Sequence, residues 1–384
     1  MSSHAAFVYS DAYQGYRFSA DHPFNPIRLL WTWELVRAAG LIAPAELLAP
    51  EPATRDDLRR VHTASYIDEV QRLSRGDAQG TSSLIYGLGT DDDPAFPGMH
   101  DAAALAVGGS LLAARAIAAG RLLHAFNIGG GLHHAFAAQA AGFCIYNDIA
   151  LAALALRDAG LRVAYVDLDA HHGDGVQEIF YRDPEVLTVS FHESGRYLFP
   201  GTGALEELGA GAGLGTCVNV PLEPFTDDAS WLELFDAIVP PVLRHFRPDV
   251  LITLHGCDGH YLDPLADLRA STRLYWQTAR RLHDLAHQLC DGRWLALGGG
   301  GYELLRVVPR AWALVWAEMR GTPLDEGSIV PQAWRDAHQP ESEAPLPRLF
   351  VDPEGSVPHL DRQAEIAGRN RATLARLRRL CPML

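Results

Sequence analysis

The chain has 384 residues, 48% hydrophobic and 21% charged, so it can bury a sizeable core and is too long for one minimal domain. Its 47 acidic side chains outnumber 32 basic ones, and the net charge of −15 argues against nucleic acid or an anionic membrane as a direct ligand. Every basic residue is an arginine, so the chain offers no lysine side-chain amine that an acetyl mark could regulate.

Residues 1–17 lack the basic stretch and apolar core of a secretory signal. No apolar run is expected to approach the roughly 18–20 residues of a membrane span. Helical periodicity runs over 28–39, 54–73 and 101–119. A β-like apolar run follows at 125–128, then a helix at 148–158 and further runs at 163–167 and 186–191. The glycine-rich stretch 209–215 precedes a strand-like run at 217–220. A dinucleotide fingerprint would follow a strand and open a helix, so this stretch reads as a plain loop. Helix 230–246, run 250–254, helix 272–289, run 294–297 and helix 305–319 complete the alternation. Residues 321–359, rich in Pro, Glu and Asp, read as a long surface segment, and 362–380 as an arginine-rich helix packed on its own domain. A single domain spanning 1–384 is expected, with its core over about 7–320. Helices alternating with uniformly apolar runs predict an α/β fold, a mainly parallel sheet with helices on both faces. Cys144, Cys217, Cys257, Cys290 and Cys381 are few, scattered and odd in number, which fits a reducing, cytoplasmic setting.

Five of the apolar runs end in glycine or polar residues: Gly129-Gly130-Gly131-Leu132-His133-His134, Leu168-Asp169-Ala170-His171-His172-Gly173-Asp174, His192, His255-Gly256-Cys257-Asp258 and Gly298-Gly299-Gly300-Gly301-Tyr302. In open α/β sheets a site lies beyond the carboxyl ends of the strands, so these ends nominate one location. Three carboxylates and two imidazoles fall within 167–174. Burying so many charges without compensation is very costly, and a cation is the simplest compensation. Asp167, Asp169 and His171 share a face if the strand persists. Asp169 and His171 can bind one ion, with Asp258 as the natural third ligand. Two carboxylates and one imidazole leave positions open; Zn2+ suits this set and Fe2+ is the alternative. The pair His133-His134 offers a general base when neutral and a general acid when charged, with Asp167 and Asp174 as orienting carboxylates. Glycines before Tyr302 let the backbone bring a phenol close enough to donate to an oxyanion.

Asp-Leu-Asp-Ala-His-His-Gly-Asp-Gly-Val-Gln, Gly-Gly-Leu-His-His-Ala, Gly-Phe-Cys-Ile-Tyr-Asn-Asp, Phe-Pro-Gly-Thr-Gly and Leu-Gly-Gly-Gly-Gly-Tyr all occur in the chain, and the resemblance they carry runs from about residue 7 to 319. Together they resemble the zinc-dependent histone deacetylase superfamily. Asp21-His22-Pro23-Phe24-Asn25 with Arg28, Gly89-Thr90-Asp91-Asp92-Asp93-Pro94, His255-Gly256-Cys257-Asp258 and Val307-Val308-Pro309-Arg310 resemble its bacterial acetoin-utilization branch. The resemblance implies the arginase–deacetylase fold, a mainly parallel sheet of about eight strands. It implies Asp169, His171 and Asp258 as metal ligands, His133 and His134 as a dyad paired with Asp167 and Asp174, and Tyr302 as the carbonyl-polarising phenol. It implies Asp92 as a rim carboxylate, Phe143, Phe199 and Leu265 as tunnel walls beside Gly142, and Arg28 near an inner cavity through which acetate leaves. It also implies a monovalent cation, usually K+, near Asp167, Asp169, His171 and Ser190. Leu132 departs from the eukaryotic pattern, where a Trp is frequent. The implied activity is hydrolysis of an N-acyl-lysine amide in an acetylated protein, with a small-molecule amide of the acetylpolyamine type as the alternative. An arginase-like binuclear site would need Asp-Ala-His-x-Asp, and here Gly173 follows His172.

Overall fold

The structure is a computed structural model that describes residues 5–77 and 80–384, the side chains of 81 and 82 excepted, so the first four residues of the 1–17 stretch lie outside it. Eight strands form one sheet: β1 Ala5–Val8, β2 Leu47–Leu48, β3 His124–Asn127, β4 Val163–Asp167, β5 Val186–Glu193, β6 Cys217–Leu222, β7 Val250–Leu254 and β8 Trp294–Leu297. Their order is β2-β1-β3-β8-β7-β4-β5-β6, and every pairing is parallel. The helices are α1 Ile27–Ala38, α2 Arg55–Leu58, α3 Ala64–Ser74, α4 Thr81–Ile85, α5 Met99–Ala118, α6 Asp148–Asp158, α7 Asp174–Phe180, α8 Asp228–Phe246, α9 Thr272–Leu289, α10 Val308–Met319, α11 Gln332–His338 and α12 Gln363–Leu380.

Side-chain alternation along each strand sends its residues to two cores. Ala164 and Val166 join Phe7, Phe126 and Val189 under α1, α8, α9 and α10. Val163 and Tyr165 join Ala125, Ile252 and Leu295 under α5, α6 and α7. Both faces are buried, which is why the runs are apolar throughout and show no polar alternation.

Local signals set several boundaries. Asn147 caps α6 by accepting from Ala150 N–H, and Ser271 caps α9 by accepting from Arg273 N–H. The single helix expected over 54–73 is two. Thr63 caps α3 while His62 leaves the helix line, its Nδ1 bonded to Phe136 O and its Nε2 accepting from Asn147 N–H. Strands β1 and β2 were not anticipated; they are short and their pairing is the signal. α5 is long and apolar enough to cross a membrane, contrary to the sequence expectation, but most of it is buried inside the fold against α6 and β3. The 321–359 segment is not wholly superficial: it contains α11, buries Trp334, Phe350 and Val351, and delivers Asp352 inward. Helix α12 packs on β6 and α8 through Asn370, whose amide donates to Thr226 Oγ1 and Ser230 Oγ. Its arginines pair with Glu223, Glu233 and Glu206 of the same chain.

Candidate functional site

The carboxyl ends of β3, β4, β7 and β8 converge. Asp169 and Asp258 are 1% and 0% exposed, and His171 lies between them. His171 Nδ1 is 2.9 Å from Asp258 Oδ2 and 3.2 Å from Asp169 Oδ1. Burial opposes charge on that ring, but the two carboxylates prevail and hold its pKa at about 10. Two buried carboxylates with one imidazole thus gather a positive charge wherever one is offered. The space is conditional on glycine: a Cβ at Gly300 would stand 2.3 Å from Asp258 Oδ2, and one at Gly256 2.2 Å from Asp169 Oδ2. Ligand atoms of Asp169, His171 and Asp258 lie within 4.8 Å of one another, so the oxygen, oxygen and nitrogen set fits a divalent ion.

Beside it stand His133 and His134, with ring centroids 4.0 Å apart. His133 Nδ1 is 2.9 Å from Asp167 Oδ2, and His134 Nδ1 is 2.7 Å from Asp174 Oδ1. Each carboxylate accepts from its ring's Nδ1–H, leaving Nε2 as the working nitrogen. The environments then diverge. Burial works against charge on both rings. Asp167 and Asp169 overcome it at His133 and raise its pKa to about 9. At His134 burial and the charge of His133 prevail over Asp174 and lower it to about 4. Asp167 is itself fixed, accepting also from Tyr165 O–H at 2.7 Å and Asp169 N–H at 3.0 Å. Ser190 is the register partner of Asp167 across β4 and β5, and its hydroxyl meets His192 Nδ1 at 2.9 Å.

A tunnel of about 220 Å³ leads down to these groups, lined by Asp92, His134, Gly142, Phe143, His171, Leu198, Phe199, Leu265 and Tyr302. Every sequence-expected wall and rim residue is there. Phe143 sits at φ 69° and Gly142 at φ 54°. A left-handed phenylalanine costs on the order of 1–3 kcal/mol and persists only where its surroundings hold it. Tyr16 does so, donating to Phe143 O and accepting from Ile145 N–H. A Cβ at Gly142 would stand 2.3 Å from His134 Cδ2. Behind the floor lies a chamber of about 20 Å³, bordered by Arg28, Leu132, Tyr13, Tyr16 and Phe24. Arg28 donates to Gly301 O at 2.8 Å and lies 5.8 Å from the Tyr302 ring centroid. Burial, then the charges of Asp258 and Asp169, push the Tyr302 phenol well above its ordinary range.

Besides Tyr16 and Tyr165, sequence reasoning missed three contributors. Asp263 Oδ2 accepts Tyr302 N–H at 2.7 Å and Glu303 N–H at 3.3 Å, anchoring the turn that presents the phenol. Its signal was an acid in the apolar stretch Tyr261-Leu262-Asp263-Pro264-Leu265. Leu198 completes the tunnel wall. His22, noted only within a motif, packs edge-on to Phe143 and bonds Asp92 O at 3.2 Å.

A profile described as "Histone deacetylase domain" matches residues 22–319, a span that contains Asp169, His171, Asp258, the histidine pair and every residue that lines the tunnel. Acetoin utilization protein AcuC of Bacillus subtilis (strain 168) is 45% identical over 373 residues, covering 97% of this chain and 96% of that protein. The protein of the same name from Staphylococcus aureus (strain MSSA476) is 40% identical over 371 residues, covering 96% and 95%. Among solved structures, a histone deacetylase homologue complexed with SAHA superposes with a TM-score of 0.85 at 28% identity, over 96% of this chain and 99% of that one. A homologue from Aquifex aeolicus gives 0.83 at 28% identity, with the same coverage. Likeness along nearly the whole length, in sequence and in backbone, coincides with the span that builds the strand-end site: the chain belongs to the histone deacetylase family.

Proposed function

We propose that this chain removes acetyl and related acyl groups from lysine side chains of proteins. The observation that carries the reading is the tunnel. Its walls, Phe143, Leu198, Phe199 and Leu265, are apolar and suit an aliphatic stem; its floor holds His134, His171 and Tyr302, and Asp92 stands among the lining groups as the acceptor for a peptide N–H. Asp169, His171 and Asp258 would hold the ion, which we assign as Zn2+, Fe2+ being the alternative for the same donors. Once bound, that ion supplies Lewis acidity toward the acyl carbonyl and acidifies water beside it. His134, kept neutral and with Nε2 free of the Asp174 bond, takes a proton from the attacking water. Tyr302 donates a hydrogen bond to the developing oxyanion. A protonated imidazole of the dyad returns a proton to the leaving amine. Asp167, Asp169, His171 and Ser190 are assigned to a monovalent cation, K+. The chamber beside Arg28 is assigned to acetate exit. At about 20 Å³ it has room for one water, so passage of acetate requires its side chains to part. Five free, buried cysteines suit the cytoplasm.

The second reading, an acetylpolyamine deacetylase, is favoured by one observation: the Asp92 carboxylate would equally attract a distal ammonium. Comparing kcat/KM for an acetyl-lysine peptide with that for N-acetylputrescine separates the two. The peptide should be the better substrate, and Asp92→Asn should weaken it only modestly because an amide oxygen still accepts an N–H. A preference for N-acetylputrescine that collapses in Asp92→Asn would overturn the protein-substrate reading.

A further inference from the structure

A second histidine cluster lies at the opposite end of the sheet. His124 opens β3, and its register partner is Trp294, which opens β8. His283 and His287 stand one turn apart on α9, four residues being the spacing that puts two side chains on one helix face. Ring centroids are 4.9 Å apart for His124 and His283, 5.1 Å for His124 and His287, and 4.8 Å for His283 and His287. One ring nitrogen from each residue falls within 4.8 Å of the other two. The Nε2 atoms of His283 and His287 are 3.1 Å apart. In a tetrahedral zinc site, with Zn–N near 2.0–2.1 Å, neighbouring ring nitrogens stand roughly 3.3 Å apart, so little movement separates this arrangement from a ligating one.

From this geometry we infer that His124, His283 and His287 form a second metal site, specific for a divalent late transition-metal ion such as Zn2+, Ni2+ or Cu2+. The surroundings are those of a built site. Trp294 stacks on the His283 ring at 5.7 Å and 27°, fixing its plane. Gly292 lets the chain pass against His287, since a Cβ there would stand 3.0 Å from both His287 Cε1 and Nδ1. His124 is buried, His283 half-buried and His287 exposed, so an ion entering from solvent meets three imidazoles and keeps room for water. Three imidazoles without a carboxylate or thiolate select borderline ions over Mg2+ or Ca2+. The location excludes a part in the strand-end chemistry. His124 is at the amino end of β3 and His133 follows its carboxyl end, so at least a strand length, roughly 10–13 Å, lies between them. An ion here would pin the last turns of α9 to the amino ends of β3 and β8.

The test uses untagged, full-length protein whose strand-end site is already loaded with Zn2+, titrated with Ni2+ by calorimetry and checked by elemental analysis after desalting. Wild type should take up one further equivalent, with a rise in thermal midpoint. The double variant His283→Gln/His287→Gln should lose that equivalent and the rise while retaining its first equivalent. His124→Gln, provided its circular dichroism is that of wild type, should weaken the added equivalent by about tenfold or more, as loss of a third ligand requires. Persistence of the added equivalent in the double variant, or its absence from wild type up to about 100 µM free Ni2+, overturns the site, since three converging imidazoles must bind a borderline ion more tightly than that. A change of less than about threefold in a folded His124→Gln reduces it to an exposed helical pair and overturns it equally.

Discussion

Tyr302 meets Phe143 edge-on at 5.9 Å and has its backbone N–H held by Asp263, and its phenol is not one of the proposed metal ligands. Tyr302→Phe should therefore keep its metal content and lose about 10²–10³-fold in kcat, the cost of one oxyanion donor. Acetate release from an acetyl-lysine peptide, with metal analysis of the same sample, checks this; full activity would remove Tyr302 from the mechanism. Asp93 gives a prediction in pH. It is 1% exposed, its Oδ1 has no hydrogen-bond partner among the described residues, and its carboxyl accepts Phe143 N–H. Burial, then the charge of Asp92, raise its pKa to about 8. The folded state therefore holds a proton that the unfolded chain has released between about pH 4 and 8, and stability falls across that window as pH rises. Asp93→Asn does not titrate. It should match wild type near pH 4 and exceed it by on the order of 5 kcal/mol at pH 8, read from urea midpoints at each pH. Equal pH slopes for the two proteins would refute the raised pKa.

Between elements, the loop after β7 is braced from far along the chain. Asp352 Oδ2 meets His260 Nε2 at 2.9 Å and accepts Thr272 N–H, while Arg310 donates to Asp352 Oδ1 at 2.8 Å. His260 is two residues beyond Asp258, so α9, α10 and the 321–359 segment together fix the loop that carries a proposed ligand. Asp352→Ala strands a buried guanidinium, which costs about 3–5 kcal/mol when one partner of such a pair is removed. The expected result is a lower denaturant midpoint and weaker metal retention, whereas a variant of unchanged midpoint would show that the loop holds itself. The apolarity of α5 is explained at the same scale: its small residues, among them Gly108, whose Cβ would stand 1.8 Å from Glu51 O, let α6, β3 and the 51–53 strip approach closely.

For the whole molecule, the sheet brings together acidic groups that would repel one another without a counter-charge. If Asp169, His171 and Asp258 hold the proposed ion, chelation should lower the thermal midpoint and added Zn2+ should recover it, because a ligand at about 1,000 times its Kd adds about 4 kcal/mol to the folded state. The measurement is differential scanning calorimetry with and without chelator, and a midpoint indifferent to both would argue against a structurally coupled ion. The negative surface carries no lysine and spends several arginines on its own glutamates at α12, which leaves that helix a packed element of the fold.

Helix and strand alternation was legible in the residues because apolar period, caps and uniformly buried strands are local properties. The runs 163–167 and 250–254 and the helix 272–289 match the observed elements end to end. The candidate site was legible for a related reason: 167–174 compresses its acids and imidazoles into a few positions, and His133, His134, Asp258 and Tyr302 come within a few residues of a strand's carboxyl end, whereas Asp92, Gly142, Phe143, Phe199 and Leu265 were legible only through the family resemblance. What the tertiary structure alone decided depends on residues distant in sequence. The β1 and β2 edge, the break of 54–73 at His62, and the reach of Asp263 and Asp352 to the site are fixed by pairing partners that no local pattern encodes. The meeting of His124 with His283 and His287 belongs with them, since 159 positions separate the strand residue from the nearer helix residue and only the order of strands in the sheet closes that distance.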